Sequence, residues 1–479
     1  MRHTLAVVGA GPKGLAVAAK AAALRSAGFA VPEVVLIDRH GVAAHWSGAV
    51  GYTDGRQRLG TPPEKDVGFP YAPSWERHSA AVDRAMQRLS WQAYLTREGS
   101  FADWVDRRRP QPTHRQWAQY LGWVAAEVGV RPQVGELAGV ELEEGRWRLE
   151  LADGRGDRRH LLADGLVLTG PGDAIQVPGQ PRGHPRILDG RSFWLEAEAL
   201  AMAGPAEVCV IGSGETAGSV AGALLDLLPD GSLVELVSSH GVLYSRGESF
   251  TENRYYSDPG AGWARLAERH RREFLKRTDR GVFSVQVERV LDQAESVRTV
   301  AGRVTGLQPA EAKVMVEIAY QDQRECVPFD FVVVAIGFDP CWFLPLLGER
   351  ASGSLAGALG WHEDGPPSRA ALERAVGHDL AVEGLLPRLH LPVLAGVAQG
   401  PGFPNLSCLG LLADRVLHPH VTPPEARTAR SGHHGEMLER PGSWGGSGGS
   451  GLPPNEPGRS DRIHSAAFRT EPQPREPLP

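Results

Sequence analysis

The stretch LAVVGAGPKGLAVAAK, residues 5–20, decides the fold of this 479-residue chain. Its first four residues are apolar and predict a buried parallel strand, because such strands are short and apolar on both faces. A glycine turn follows, and residues 15–27 are rich in alanine and leucine, which favour a helix. The next apolar run, residues 34–37, predicts a second strand, so the stretch opens a βαβ unit.

The turn between strand and helix carries the G-x-G-x-x-G fingerprint of a dinucleotide-binding site. Gly9, Gly11 and Gly14 form the fingerprint, and Pro12 follows its second glycine. Glycine lets a pyrophosphate approach the backbone, and the helix N-terminus offers unpaired N–H groups and a partial positive charge. Asp38, at the end of the second strand, is the acid expected to hold a ribose hydroxyl.

A related phrase, VCVIGSGETAGSVAGALL, returns at residues 208–225 and predicts a second unit of the same kind. Ala217 replaces the third glycine, a variant that the fingerprint tolerates. No acid ends the following strand, residues 233–237, so a nucleotide 2′-phosphate would meet no repelling carboxylate there. The residues predicted to bind this second nucleotide are Gly212, Ser213, Gly214, Glu215 and Thr216.

Two such turns in one chain predict FAD in the first and NAD(P)H in the second, with the nicotinamide delivering hydride to the flavin. The fold class is α/β, with two Rossmann-like dinucleotide-binding domains and a small substrate-binding region. The predicted domains are residues 1–200 (FAD), 203–326 (NADPH) and 327–420 (return to the FAD domain and substrate region). Residues 421–479 are rich in Gly, Pro and Ser and predict a disordered tail.

Composition and cysteine use exclude several classes of function. The chain has 51 basic and 57 acidic residues and a net charge of −6, so it lacks the excess positive charge that favours binding to nucleic acid. No stretch of the sequence is long and apolar enough to predict a membrane-spanning helix. The four cysteines form no CxxC pair, so we expect no disulfide framework, no metal site and a cytoplasmic protein. No cysteine precedes Cys209, which argues against a disulfide reductase and favours reaction of the reduced flavin with oxygen.

Longer phrases then carry a family resemblance over about residues 5–416. They are GYTDGRQRLGTPPEKDVGFPY from Gly51, SWQAYL from Ser90, PTHRQWAQYLGWVA from Pro112, TDRGVFS from Thr278 and QGPGFPNLSCLGLLADRV from Gln399. Together with the two turns, they resemble the flavin-dependent N-hydroxylating monooxygenases, the lysine and ornithine hydroxylases of siderophore synthesis. Within that family the sequence is similar to the mycobactin-type lysine N6-hydroxylases of actinobacteria.

The resemblance implies an ordered reaction with NADPH, FAD and molecular oxygen. NADPH reduces the flavin, oxygen adds to give a C4a-hydroperoxyflavin, and the side-chain amine of lysine attacks its distal oxygen. The product is N6-hydroxylysine for a hydroxamate siderophore. Family members are often tetramers, so a homotetramer is also expected.

The resemblance assigns four substrate residues: Lys65 to the amino-acid carboxylate, Asn253 to the polar end of the substrate, Asp279 to an α-ammonium, and Ser407 beside flavin and substrate. Asp279 stands where ornithine-specific relatives carry asparagine. Plain alternatives remain: Lys65 as a solvated lysine between Glu64 and Asp66, Asn253 as an ordinary loop residue, and Ser407 as a helix cap.

The family pattern also places Trp46, Asn405 and Leu406 at the flavin. Gly60 occupies the position of a glutamine that contacts the flavin in many relatives. Arg246, which follows the second strand of the NADPH unit, is our candidate for the 2′-phosphate, with a simple surface arginine as the alternative.

Other functions remain open at this stage. The attacking amine must be neutral, although a free lysine amine has a pKa of about 10.4, so we expect apolar or neutral surroundings for it. The substrate is L-lysine or an acylated lysine precursor. An ornithine or diamine N-hydroxylase and a non-catalytic flavin-binding sensor are the alternatives.

Overall fold

The computed structural model describes residues 3–424. The tail predicted from residue 421 therefore lies outside the described residues, apart from its first four. Within those four, Thr422 forms an antiparallel bridge with Ala30, so the disordered segment does not begin at residue 421. No helix in the described range has the length and apolarity required to cross a membrane.

Strands and helices alternate through the described residues. The strands are β1 (Thr4–Val8), β2 (Glu33–Asp38), β3 (Gln133–Val134), β4 (Glu136–Glu143), β5 (Arg146–Ala152), β6 (Arg158–Ala163), β7 (Gly165–Leu168), β8 (Ile187–Asp189), β9 (Glu207–Ile211), β10 (Leu233–Ser238), β11 (Val297–Ala301), β12 (Arg303–Pro309), β13 (Val314–Tyr320), β14 (Gln323–Phe329), β15 (Phe331–Val334) and β16 (Arg388–His390).

The helices run through the same range. They are α1 (Pro12–Ser26), α2 (Ala44–Ser47), α3 (Ser79–Gln87), α4 (Trp91–Arg97), α5 (Phe101–Asp106), α6 (His114–Glu127), α7 (Phe193–Met202), α8 (Glu215–Leu227), α9 (Phe250–Ser257), α10 (Gly260–Arg265), α11 (Glu268–Thr278), α12 (Val285–Asp292), α13 (Glu349–Leu359), α14 (Arg369–Ala375), α15 (Gly396–Gln399) and α16 (Leu409–Leu417). Short 3₁₀ helices lie at Glu76–His78, Leu344–Leu346, Pro392–Leu394 and His418–His420.

Two parallel five-stranded sheets confirm the predicted α/β class. The first has the order β16-β7-β1-β2-β3, and the second β11-β10-β9-β15-β8. In each sheet the strand order reverses at the strand that precedes a glycine turn, β1 or β9. Ligands of such sheets bind in the crevice at this reversal, beyond the carboxyl ends of the strands.

The second sheet cuts across the predicted domain boundaries. Strand β8 lies before residue 200 and β15 lies after residue 327, yet both pair within the sheet built on β9. Short apolar strands at a distance in sequence carry no signal of which sheet they join. The division into 1–200, 203–326 and 327–420 therefore needs correction at these two strands, and its remaining boundaries stay predictions.

Both glycine turns depend on a close approach of helix to strand. A Cβ at Gly14 would lie 2.0 Å from the Gly9 carbonyl oxygen, and Gly9 itself has a φ of +110°. In the second turn, Gly212 has a φ of +139°, and a Cβ there would lie 2.5 Å from the Ala335 carbonyl oxygen. Only glycine fits such positions, because L side chains are strained at these φ values and need the space occupied by the carbonyl.

A buried ion pair fixes α1 against α16, the last long helix of the described chain. The Lys20 Nζ lies 2.7 Å from the Asp414 Oδ1, with side chains only 1% and 3% exposed. The indole of Trp75 donates a 2.7 Å hydrogen bond to the same oxygen. Because an unpaired buried charge costs several kcal/mol, this contact holds α16 in one position on α1.

Candidate active site

The first glycine turn opens on a cavity of about 440 Å³. Gly11 is the N-cap of α1, and no described side chain accepts a hydrogen bond from the first N–H groups of this helix. A Cβ at Gly11 would meet no atom of the described residues within 4 Å, although one at Gly14 would collide. The turn therefore leaves room for a pyrophosphate at a helix N-terminus, and its residues fit a bound FAD.

Asp38 lies at the end of β2 and lines this cavity, as expected for the acid that meets a ribose. Its carboxylate also organises the turn. The Oδ2 accepts a 3.0 Å hydrogen bond from the backbone N–H of Ala10, and the Oδ1 accepts bonds from the N–H groups of His40 and Gly41. The side chain is 8% exposed, so its acceptor capacity faces either the backbone or a ligand in the cavity.

The same cavity is also lined by residues that sequence reasoning missed. Trp46, which was predicted, packs edge to face on His114 with ring centroids 4.7 Å apart. His114 Nδ1 lies 2.9 Å from the Thr53 hydroxyl, and burial lowers the pKa of this histidine to about 4. Tyr52 also lines the cavity. These residues lie in α2, in the loop that follows α2 and at the start of α6, so no spacing in the sequence marks them as a group.

Asp66 anchors the loop that carries Lys65. The Asp66 carboxylate accepts hydrogen bonds from the Tyr71 hydroxyl and from the backbone N–H groups of Gly68 and Trp91. Lys65 is half-buried, forms no ion pair in the described chain and lies 5.9 Å from the Phe69 ring centre. Burial lowers the pKa of Lys65. Lys65 therefore pairs with neither acidic neighbour, and its role toward a substrate carboxylate stays a prediction.

Asp279 is the first residue after α11, is exposed in the described chain, and lies within side-chain hydrogen-bonding distance of Asn405. Partial desolvation raises the pKa of its carboxyl group, while Arg280, the Asn405 side chain, Arg246 and Lys13 act in the opposite direction. The structure thus brings Asp279 and Asn405 together, as the predicted common site requires. Their roles toward substrate and flavin stay predictions.

A cluster of three arginines holds the segment that carries Asp279. Arg272, Arg280 and Arg369 each contact the carboxylate of Glu373, at 3.1, 3.1 and 2.9 Å. Glu373 lies on α14 and its side chain is only 3% exposed. The long connection between β10 and β11 is therefore held against residues that precede β16 of the first sheet, a contact that no sequence pattern predicts.

Asn253 and Ser407 lie in different elements, Asn253 within α9 and Ser407 just before α16. The Asn253 amide donates a 2.8 Å hydrogen bond to the Glu248 carbonyl oxygen. Ser407 is 8% exposed and follows Leu406, which lines the cavity as predicted. The N-cap of α16 is Cys408, so Ser407 is not the cap that the alternative reading supposed.

The second turn repeats the geometry of the first. Gly214 is the N-cap of α8, and no described side chain caps this helix. The Glu215 carboxylate accepts a 2.7 Å hydrogen bond from the Ser284 N–H. A Cβ at Gly281 would lie 3.5 Å from the Ser213 hydroxyl, so residues 281–284 border the turn. Its open helix N-terminus and close-packed glycine fit a second nucleotide.

Arg246 lies near both the second turn and the predicted substrate residues, since its backbone N–H donates a 2.8 Å hydrogen bond to the Phe283 carbonyl oxygen in the segment that borders the turn. Its Nη2 donates a 2.6 Å hydrogen bond to the Gly60 carbonyl oxygen, and its Nε donates to Glu248. The charge of Arg246 acts on Lys65 and on Asp279. The structure therefore groups Arg246 with the predicted substrate residues, and its contact with NADPH stays a prediction.

The fold and the site define a protein with two dinucleotide-binding turns and, near the first turn, a cluster of the charged side chains Lys65, Asp279 and Arg246. A family profile described as L-lysine 6-monooxygenase/L-ornithine 5-monooxygenase matches residues 82–340. The chain is 43% identical over 424 residues to "L-lysine N6-monooxygenase MbtG" of Mycobacterium sp. (strain MCS), a match that covers 87% of this chain and 95% of that protein. The chain belongs to this lysine and ornithine monooxygenase family.

Solved structures agree. The lysine monooxygenase NbtG from Nocardia farcinica is similar with a TM-score of 0.74 and 40% identity, over 87% of this chain and 100% of that one. An ornithine N-hydroxylase from Kutzneria sp. 744, KtzI, has a TM-score of 0.70 over 88% of this chain and 99% of its own. At 17% identity, the second likeness shows the shared fold alone.

Substituting Gly11 should separate cofactor binding from folding. In Gly11→Ala the new methyl group meets no described protein atom within 4 Å, so thermal unfolding of the FAD-free protein should not change. The methyl group would occupy the space of the pyrophosphate, and FAD affinity should fall by about tenfold or more, which is about 1.4 kcal/mol. Titration with FAD measures the change.

The matched control for this experiment is Gly122→Ala in α6. A Cβ at Gly122 also meets nothing within 4 Å among the described residues, but it is not among the residues that line the cavity. Equal FAD affinity in Gly11→Ala and Gly122→Ala would contradict the assignment of the cradle.

The buried His114 should make folding sensitive to acid. Its folded pKa of about 4 lies below the value of about 6.5 for an exposed histidine, so the unfolded chain binds more protons between these pH values. Stability should therefore be complete above about pH 6.5 and fall by about 2 kcal/mol by pH 5 from this group alone. Urea unfolding of wild type and His114→Gln at several pH values measures it, and identical pH slopes would contradict it.

Proposed function

We propose that this protein is an FAD- and NADPH-dependent L-lysine N6-hydroxylase, which supplies N6-hydroxylysine for a hydroxamate siderophore of the mycobactin type. Family membership and the identity with MbtG proteins over most of both chains support this function. The observation that carries it within the structure is the pairing of two uncapped helix N-termini at the glycine turns with a charged cluster of Lys65, Asp279 and Arg246.

The first cradle would hold FAD and the second would hold NADPH. Gly9, Gly11, Pro12 and Gly14 present the N-terminus of α1 to the FAD pyrophosphate, and Asp38 meets the ribose. Gly212, Ser213, Gly214, Glu215 and Thr216 form the corresponding NADPH cradle. Bound FAD supplies the redox chemistry, in which hydride from the nicotinamide and molecular oxygen are converted into oxygen transfer to an amine.

The residues of the chain bind and orient the amino acid. Lys65, whose ammonium lacks an anionic partner among residues 3–424, pairs with the α-carboxylate of lysine. Asp279 pairs with the α-ammonium, because a partly desolvated carboxylate gains from a ligand of opposite charge. The two contacts together recognise a free amino acid, since an acylated α-nitrogen carries no charge to pair with Asp279.

The same cluster helps to keep the reacting amine neutral. Lys65 and Arg246 are cations close to the proposed substrate site, and nearby cations lower the pKa of an ammonium group. A neutral amine has the free electron pair that oxygen transfer requires. Burial adds to this effect because it also disfavours the charged form.

Product formation tests this function and separates its alternatives. The purified protein with NADPH and oxygen should convert L-lysine to its hydroxylamine, with little turnover of L-ornithine, cadaverine or N2-acetyl-L-lysine. In Asp279→Asn the KM for L-lysine should rise by about tenfold, because removing one ionic contact to the substrate costs about 1.4 kcal/mol. The KM for NADPH should not change.

Asp103→Asn, an exposed aspartate of α5, is the matched control and should behave as wild type. Equal turnover of L-ornithine, or faster turnover of N2-acetyl-L-lysine, would overturn the substrate assignment. NADPH and FAD binding without any hydroxylamine would support a flavin-binding sensor instead. The role of oxygen as co-substrate belongs to this proposal, and the cytoplasmic location and the homotetramer stay predictions from the sequence.

A further inference from the structure

Lys13 is a charged residue in the first glycine turn with no assigned role. It is the second residue of α1, between Pro12 and Gly14. A cation is disfavoured at this end of a helix, where the dipole already places partial positive charge. The chain has five lysines against 46 arginines, so a lysine here is also unusual in composition.

The Lys13 ammonium lacks a protein partner. Within residues 3–424 it forms neither a hydrogen bond nor an ion pair, whereas the buried Lys20 pairs with Asp414 and the surface Lys313 pairs with Glu207. Burial lowers the pKa of Lys13 to about 8, opposed by the nearby Cys408 and Asp279. A desolvated cation without a partner is costly unless a ligand supplies the opposite charge.

The cavity shows where that ligand lies. Lys13 lines the cavity together with Leu406, three residues before α16 begins. Cys408 is the N-cap of α16, and no described side chain caps this nine-residue helix. The lysine and the positive end of α16 therefore both act on this cavity. Lys65 and Asp279 are not among the residues that line the cavity, whereas Lys13 is, so the Lys13 ammonium borders the proposed FAD site while its charge also acts on Asp279.

We propose that Lys13 provides the positive charge that faces the FAD ring system and stabilises the negative charge that the ring gains on reduction. The proposal rests on the FAD binding proposed above and adds a residue that tunes the flavin. A reduced flavin carries this charge when N1 is deprotonated, and a nearby cation favours that form. Lys13 thereby raises the reduction potential of the flavin and makes it a better acceptor of hydride.

Sulfite binding measures this effect without substrate, NADPH or turnover. The sulfite sulfur donates its electron pair to form a bond with flavin N5, and the ring takes up the negative charge. In the FAD-loaded Lys13→Met the sulfite Kd should rise by about tenfold or more. The two-electron reduction potential should fall in parallel, and a tenfold change corresponds to about 30 mV.

Two further variants serve as controls. Lys13→Arg keeps the charge and should retain most of the sulfite affinity. Lys276→Met removes an exposed lysine from α11 and should behave as wild type. If Lys13→Met fails to retain FAD while Lys13→Arg retains it, the charge contact with the cofactor is supported by that result as well.

Two outcomes would overturn the proposal. The first is an unchanged sulfite Kd in FAD-loaded Lys13→Met, and a raised KM for L-lysine beside it would assign Lys13 to the amino acid. The second is loss of FAD from both Lys13→Met and Lys13→Arg, which would indicate a packing role. A wild-type protein that binds no FAD would instead refute the proposed function itself.

Discussion

The site depends on a helix lying closer to a strand than any side chain permits. At Gly14 the backbone of α1 approaches the Gly9 carbonyl so closely that a single Cβ would lie 2.0 Å from its oxygen. This approach aims the uncapped N-terminus of α1 at the end of β1, where the strand order of the sheet reverses. Partial positive charge, open N–H groups and a crevice then coincide, which is what a pyrophosphate requires.

The second sheet has the same constraint at Gly212. One short segment connects the proposed substrate site with the second glycine turn. In residues 279–284, Asp279 lies in the proposed substrate site, Arg280 is fixed by Glu373, and Gly281 and Ser284 border the second turn. A displacement of this segment cannot change one site without affecting the other. The three-arginine contact to Glu373 makes such a displacement costly, because it would leave a buried carboxylate uncompensated.

The sequence predicted what depends on local pattern. The two βαβ units, the positions of both turns and the acid that ends β2 follow from apolar periodicity and glycine spacing, and the structure confirms them. Ala217 replaces the third glycine of the second turn, and a Cβ at Gly212 would lie only 3.3 Å from the Ala217 Cβ, so the close approach in this turn depends on Gly212. The family resemblance contributed Lys65, Asp279 and Asn405, which no period or spacing would have selected.

What the sequence missed depends on contacts distant along the chain. The membership of β8 and β15 in the second sheet is set by pairing between strands about 145 residues apart. Arg246 is expected near a nucleotide phosphate, and that contact stays a prediction, while its hydrogen bond to Gly60, 186 residues earlier, also places it beside the proposed substrate residues. Lys13 lies within the opening motif, yet its significance appears only once the structure shows a half-buried ammonium without a partner among residues 3–424. The central claim is that FAD and NADPH occupy the two cradles within reach of hydride transfer, and anaerobic mixing of the FAD-loaded protein with NADPH tests it most directly. The account predicts loss of the visible absorbance of oxidised flavin before any lysine is added, whereas flavin that stays oxidised with NADPH bound would contradict it.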